Sequence, residues 1–185
     1  PRKSRFHVSL DENVPDSAKL RAVLEAIRAA PGEKTVVFSQ WTAMLDVVQM
    51  ALNRDGVRFA RLDGTLSMQQ RETCISSFSA EDGPGVILIS LKAGGVGLNL
   101  TVASRVVLID PWWNPAVEEQ AMNRVHRVGQ TRPVTVLRLV VGKTVEQKIL
   151  DLQTKKRCLL GALAMSQEEA KNMRLDDLKM LFESF

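Results

Sequence analysis

A chain of 185 residues, 45% apolar and 25% charged, is long enough to bury one sizeable α/β core and has the composition of an ordinary globular domain. Its 25 basic and 21 acidic residues leave a formal charge of +4, which permits a nucleic-acid partner without implying one. No apolar run approaches about 18 residues and no signal-peptide pattern opens the chain, which excludes membrane-spanning and secretory readings. Cys74 and Cys158 are too few for a disulfide framework or a zinc ligand set and point to a reducing compartment. Opening at "PRKSRF" without Met, the chain reads as a piece of something longer.

Residues 1–15, polar and unpatterned, are expected to form a lead-in. Ser17 is placed to cap a helix carrying Leu20, Val23, Leu24 and Ile27 at helical spacing, ending at "APGEK". "TVVFS" (35–39) has the form of a buried parallel strand, a β-branched run between turn residues. A helix is expected over 42–54, a strand over 57–62 and a helix over 68–79, with further strands at 85–90, 105–110 and 134–140. Asn114 and Pro115 suit the N-cap and first position of a helix that ends before Gly129. A long helix follows from about Thr144 to Leu163, carrying "KKR" at 155–157, and "RLDDLKMLFESF" adds an amphipathic tail.

Strands alternating with helices at this interval predict a parallel sheet covered on both faces. Ligands on such sheets meet the loops at the carboxyl ends of the strands. Those ends carry "SQWT", "DGTLS", "LKAGGVGLNL" and "PWWNP". The glycines of the third let backbone approach a phosphate or a facing loop, yet fit neither the G-x-G-x-x-G fingerprint nor a Walker loop. Lys92 and Asn99 tilt that loop towards a ligand. In "LDGTLSMQQR" the short polar side chains can hold a nucleic-acid backbone, although a turn with Thr65 or Ser67 as helix cap accounts for them as well. Of Trp112 and Trp113, one is expected to pack and the other to face a base or sugar.

The segment "QAMNRVHRVGQ" (120–130) is the most specific. Helical spacing would align Gln120, Arg124 and Arg127 on one face, fit to grip an anion. Cations near a helix end also complement its dipole, which explains a basic residue there but not the glutamine in line with both.

In order, "VVFSQWT", "RLDGTLSMQQR", "LISLKAGGVGLNLT" and "VVLIDPWWNPAVEEQAMNRVHRVGQ" resemble the second RecA-like lobe of the SWI/SNF-like DNA-dependent ATPases of helicase superfamily two, over nearly all of residues 17–160. "PWWNPAVEEQA", "TVEQKILDLQTKKR" and "LDDLKMLF" look most like the subgroup that often carries a RING domain and acts in DNA-damage tolerance and chromatin. Asn123 departs from the family's usual Asp. The resemblance implies an α/β, RecA-like parallel sheet of at least five strands with helices on both faces. It divides the chain into a linker (1–15), the lobe (16–143), a brace helix (144–165) and a helical tail (166–185). Arg124 and Arg127 match the arginine fingers that reach the γ-phosphate of ATP on the first lobe, and Gln120 the glutamine that couples them to it. Gly95 and Gly97 match a loop joining DNA contact to ATP contact. Ser39, Gln40, Arg61, Gly64, Thr65, Lys92 and Trp113 match positions that hold duplex DNA.

The chain has no G-x-x-x-x-G-K-[ST] and no Asp-Glu-x-His, so the Walker lysine and the Mg²⁺ ligands are expected on the first lobe of the same polypeptide. The implied whole is an ATP- and Mg²⁺-dependent translocase on double-stranded DNA, free or nucleosomal, in the nucleus; the fragment alone is expected to be inactive. A lobe that no longer turns over and serves as a DNA-binding or regulatory platform is the alternative. An α/β enzyme acting on small molecules ranks last, for want of a phosphate loop or acid–base pair.

Overall fold

The computed structural model describes residues 16–93 and 97–160, with the side chains of 156–160 left out. The expected lead-in, Gly95, the end of the brace helix, the tail and most of "KKR" therefore lie outside the described residues. Ser17 caps α1 (Ala18–Arg28) by accepting the Leu20 N–H. There follow β1 (Thr35–Ser39), α2 (Thr42–Arg54), β2 (Phe59–Leu62), α3 (Met68–Ser79), β3 (Val86–Ser90), β4 (Arg105–Leu108), α4 (Pro115–Met122), β5 (Thr135–Arg138) and α5 (Val145–Leu160). Ser67 and Gln70 close a capping box at the start of α3, so the cap falls on Ser67 and leaves Thr65 free for the turn. No described helix is long and apolar enough to cross a membrane.

The strands form one parallel sheet in the order β2-β3-β1-β4-β5. β1 is central and buried along its whole length, which is why its sequence is a continuous apolar run rather than an alternating one. Val36 and Phe38 point into one layer with Ile87, Ile89, Val106 and Leu108, covered by Phe78 of α3 and Ala121 of α4. Val37, Leu88 and Val107 point into the other, against Leu20, Val23 and Leu24 of α1 and Leu45, Val48 and Leu52 of α2. Burying each of the larger side chains contributes about 1.5–3 kcal/mol, so both layers contribute to holding the sheet between them.

The loop after β1 leads to α2 on one face, while the loop after the adjacent β4 leads to α4 on the other. This divergence opens the crevice in which parallel α/β sheets bind ligands. α5 reaches helices of both layers. Glu146 pairs with Lys19 of α1 at 2.5 Å, and Gln153 donates to Glu118 of α4 at 2.8 Å.

One predicted helix is shorter than its pattern. α4 starts as expected, with Asn114 accepting the Ala116 N–H and Pro115 in the first turn, but ends at Met122 rather than near Gly129. Past Asn123, whose N–H still reaches the i−4 carbonyl, Arg124 and Val125 bond i−3 carbonyls and His126 closes on the Met122 carbonyl at i−4. The Arg124 carbonyl is taken by the Leu100 N–H at 3.0 Å, and Val125 is drawn fully into the core. Arg124 and Arg127 thus sit on a tight turn beyond the helix, and Gln120 alone of the three is helical. The expected alignment on a helix face does not form.

Candidate nucleotide and DNA interface

At the crevice, Asp110 follows β4 and is 5% exposed. It accepts the Gln40 N–H at 3.0 Å and the Ser39 hydroxyl at 3.2 Å, joining the loops that follow β1 and β4. Burial raises its pKa above the ordinary carboxylate value, against the pull of Ser39, Gln40 and Lys19. Ser39 is fully buried, and its oxygen also accepts the Trp41 N–H at 3.0 Å. Gln40 spans the same gap through its side chain, donating to the Pro111 carbonyl at 3.2 Å. These two expected DNA contacts therefore shape the crevice floor, while Trp41 (63% exposed) and Trp113 (41%) stand at its rim. Trp112 packs against the core, so the tryptophan pair divides into one packed and one exposed ring.

After β2, Asp63 accepts from the Thr65 hydroxyl (2.6 Å) and N–H (3.0 Å), a local turn that leaves Gly64 and Thr65 at the surface. Arg61 is occupied: its Nε reaches Asp63 at 2.9 Å and its Nη1 reaches Asp46 at 2.5 Å and Gln49 at 2.8 Å. Lys92, after β3, is exposed. Gly97 is also exposed, and an added Cβ there would meet nothing within 4 Å. No helix forms among the described residues between β3 and β4.

The arginine turn lies elsewhere. β5 runs parallel to β4, so the crossover through α4 must return the chain to the amino-terminal end of the sheet before β5 begins. The turn is fixed there against the segment leading into β4. Gln130 donates to the carbonyls of Thr101 and Ala103, and Leu100 donates to Arg124. The structure thus separates the expected residues into a set at the carboxyl ends of the strands and a second set on the far side.

Within the second set the arginines are unmatched. Arg61, Arg71 and Arg138 hold Asp63, the Leu66 carbonyl and Glu118 respectively. Arg124 is half-buried, with an Nε that is shut from solvent and has no hydrogen-bond partner among the described residues. Arg127 and Gln120 are exposed. The Nε atoms of Arg105 and Arg138 are likewise buried without a partner among the described residues, and a donor left unmade in this way is costly. No group of His, Cys, Asp and Glu among the described residues could hold a metal ion.

Sequence reasoning gave no role to Asp63, Asp110, Glu118 or Gln153, yet these position the loops. Glu118 is fully buried, accepts the Trp112 N–H at 2.7 Å and pairs with Arg138 at 2.7 Å. No local pattern marks such residues, because their partners come from distant segments.

The fold is that of a RecA-like α/β lobe, one parallel sheet with helices packed on both faces. Residues 18–129 match the helicase conserved C-terminal domain, and the chain belongs to that family. It is 47% identical over 184 residues to the Arabidopsis thaliana DNA repair protein RAD5A, spanning 98% of this chain and 18% of that protein. The C-terminal part of the Fun30 ATPase domain superposes with a TM-score of 0.72 at 30% identity, over 92% of this chain and 55% of that one. The Sulfolobus solfataricus SWI2/SNF2 ATPase core, solved in complex with double-stranded DNA, gives 0.67 at 35% identity over 80% of this chain and 32% of that one. The chain therefore has the fold of the C-terminal lobe of SWI/SNF-type ATPases.

Proposed function

We propose that this chain is the C-terminal lobe of an ATP-driven translocase on double-stranded DNA, acting in DNA repair or chromatin remodelling in the nucleus. Arg124 and Arg127 act as arginine fingers towards a nucleotide-binding lobe of the same polypeptide, with Gln120 helping to couple them to it. The observation that carries this reading is the buried Nε of Arg124, without a hydrogen-bond partner among the described residues, on a pinned turn beside the exposed Arg127. ATP, with Mg²⁺ held by the other lobe, supplies the phosphoryl group to be transferred. This chain's arginines present positive charge where negative charge grows on the transferring group. Gly64, Thr65, Lys92 and Trp113, exposed at the strand ends, meet the duplex, with Ser39, Gln40 and Arg61 holding the loops that present them. Gly95 and Gly97 belong to the loop between the two functions. Without Walker motifs of its own, the fragment does not turn over ATP alone.

The test is DNA-stimulated ATP hydrolysis by the protein carrying both lobes, wild type against Arg127→Ala. Turnover should fall by about 10³ or more, the contribution of an arginine finger, while ATP and duplex still bind. Equal, slow hydrolysis by both proteins with duplex binding intact would instead make the lobe a non-hydrolysing platform.

A further inference from the structure

The arginine turn is held by a side chain to which the family reading assigns no part. Gln130 Nε2 donates to Ala103 O at 2.7 Å and Thr101 O at 3.0 Å, with a weaker approach to Val125 O at 3.4 Å. Its Oε1 accepts the Arg132 N–H at 3.0 Å, and its own backbone N–H donates to the Arg127 carbonyl at 2.9 Å. Gly129, at φ 101°, makes the reversal that turns the chain back at Gln130. One amide therefore grips both the segment leading into β4 and the turn that carries the arginines. Only an amide combines two N–H donors with an acceptor at this length; glutamate lacks the donors and lysine the acceptor.

We propose that Gln130 is a positioning residue for Arg124 and Arg127, the clasp that fixes the arginine turn to the segment before β4. This rests on the reading of the arginines as fingers. Arg127 stands beyond the last helix-type bond, from the His126 N–H to the Met122 carbonyl, so the anchoring of that turn to its neighbour sets where the guanidinium stands. Movement of the segment before β4 is passed through the same amide to the arginines. Gln130 itself touches no ligand.

The experiment compares four proteins carrying both lobes at saturating duplex: wild type, Gln130→Met, Arg127→Ala and the double variant. Gln130→Met keeps the length of the side chain and removes every side-chain hydrogen bond, leaving the backbone N–H to the Arg127 carbonyl. The kcat of Gln130→Met should fall about a hundredfold, the effect of a misplacement of about 1 Å, with the KM for ATP within about twofold of wild type. The double variant should be no slower than Arg127→Ala alone, because a residue acting only through another adds nothing once that other is gone. Losses that multiply overturn the proposal. A fully active Gln130→Met beside a slow Arg127→Ala overturns it alone, whereas a fully active Arg127→Ala removes the finger reading as well. Should Gln130→Met not fold, Gln130→Glu, which keeps the acceptor for Arg132, takes its place in the same comparison. Failure of both to fold assigns Gln130 to stability and overturns the proposal.

Discussion

At Asp63, burial and hydrogen bonding act in opposite directions. Its carboxylate is 7% exposed, which penalises the charge, but the Thr65 hydroxyl and N–H and the Arg61 guanidinium together outweigh that penalty. The pKa is lowered as a result. A carboxylate more acidic in the folded than in the unfolded chain contributes stability that is fully present above its unfolded value of about 3.9 and is lost as pH falls through the folded value. Asp63→Ala should therefore cost about 1–3 kcal/mol at pH 7, from the Thr65 donors left unmatched and the loss of one of the partners of Arg61. The gap between variant and wild-type urea midpoints should close as the pH is taken down through the carboxylate range. A gap that persists undiminished in acid would mean that Asp63 acts through its shape and not its charge. The same residue orients the Arg61 guanidinium, whose Nε meets Asp63 while its Nη1 meets Asp46 and Gln49.

Elements in this lobe are joined through buried polar groups rather than by apolar packing alone. Glu118 of α4 is the clearest case, with bonds to the Trp112 N–H, to Gln153 of α5 and to Arg138 of β5. Glu118→Ala leaves all three without their acceptor and should cost about 3 kcal/mol, the lower end for a broken buried pair because Arg138 keeps some access to water. Glu118→Gln, which preserves an acceptor for Trp112, should cost clearly less; equal urea midpoints for the two variants would show that charge, not hydrogen bonding, holds the junction. This is also where sequence reading ran out. The strands and α1–α3 were legible because their signals are local: a Ser cap at position 17, a capping box at 67–70, apolar runs bounded by turns. β2 starts at Phe59 rather than Val57 because Gly56, at φ 66°, lets the Val57 N–H close α2 on the Leu52 carbonyl. α4 stops early because its last turn is captured by Leu100, a residue distant in sequence. The arginines could be picked out by type and spacing, but not the turn that presents them. Gln130 closes the run singled out by sequence, yet its clasp, like the junction that Glu118 makes, shows only once the fold brings distant partners to it.

At the scale of the molecule, the two sets of residues lie towards opposite ends of the strands of one parallel sheet. Trp113, Gly64 and Lys92 stand at the carboxyl ends of the strands, while Arg124 and Arg127 lie where the chain re-enters at the amino end of β5. Both sides are anchored to the same strand, since β4 ends at the Asp110–Trp113 loop and begins at the segment that Gln130 grips. On the function proposed above, duplex binding and phosphate contact should be alterable one at a time, because the residues at the two places share no hydrogen-bond partner and distant sites act nearly additively. Trp113→Ala should leave the urea midpoint within about 0.5 kcal/mol of wild type, as expected for a surface ring that supports no buried group. It should weaken duplex binding by about 1–2 kcal/mol, the loss on truncating an exposed aromatic anchor. In the protein with both lobes it therefore raises the DNA concentration needed for half-maximal ATP hydrolysis while leaving the rate at saturation close to wild type. Arg127→Ala should do the reverse, lowering the saturated rate without moving the DNA midpoint. If Trp113→Ala instead lowers the saturated rate as far as Arg127→Ala does, the two ends are one site in function, and β4 transmits far more than the static hydrogen bonds at its ends suggest.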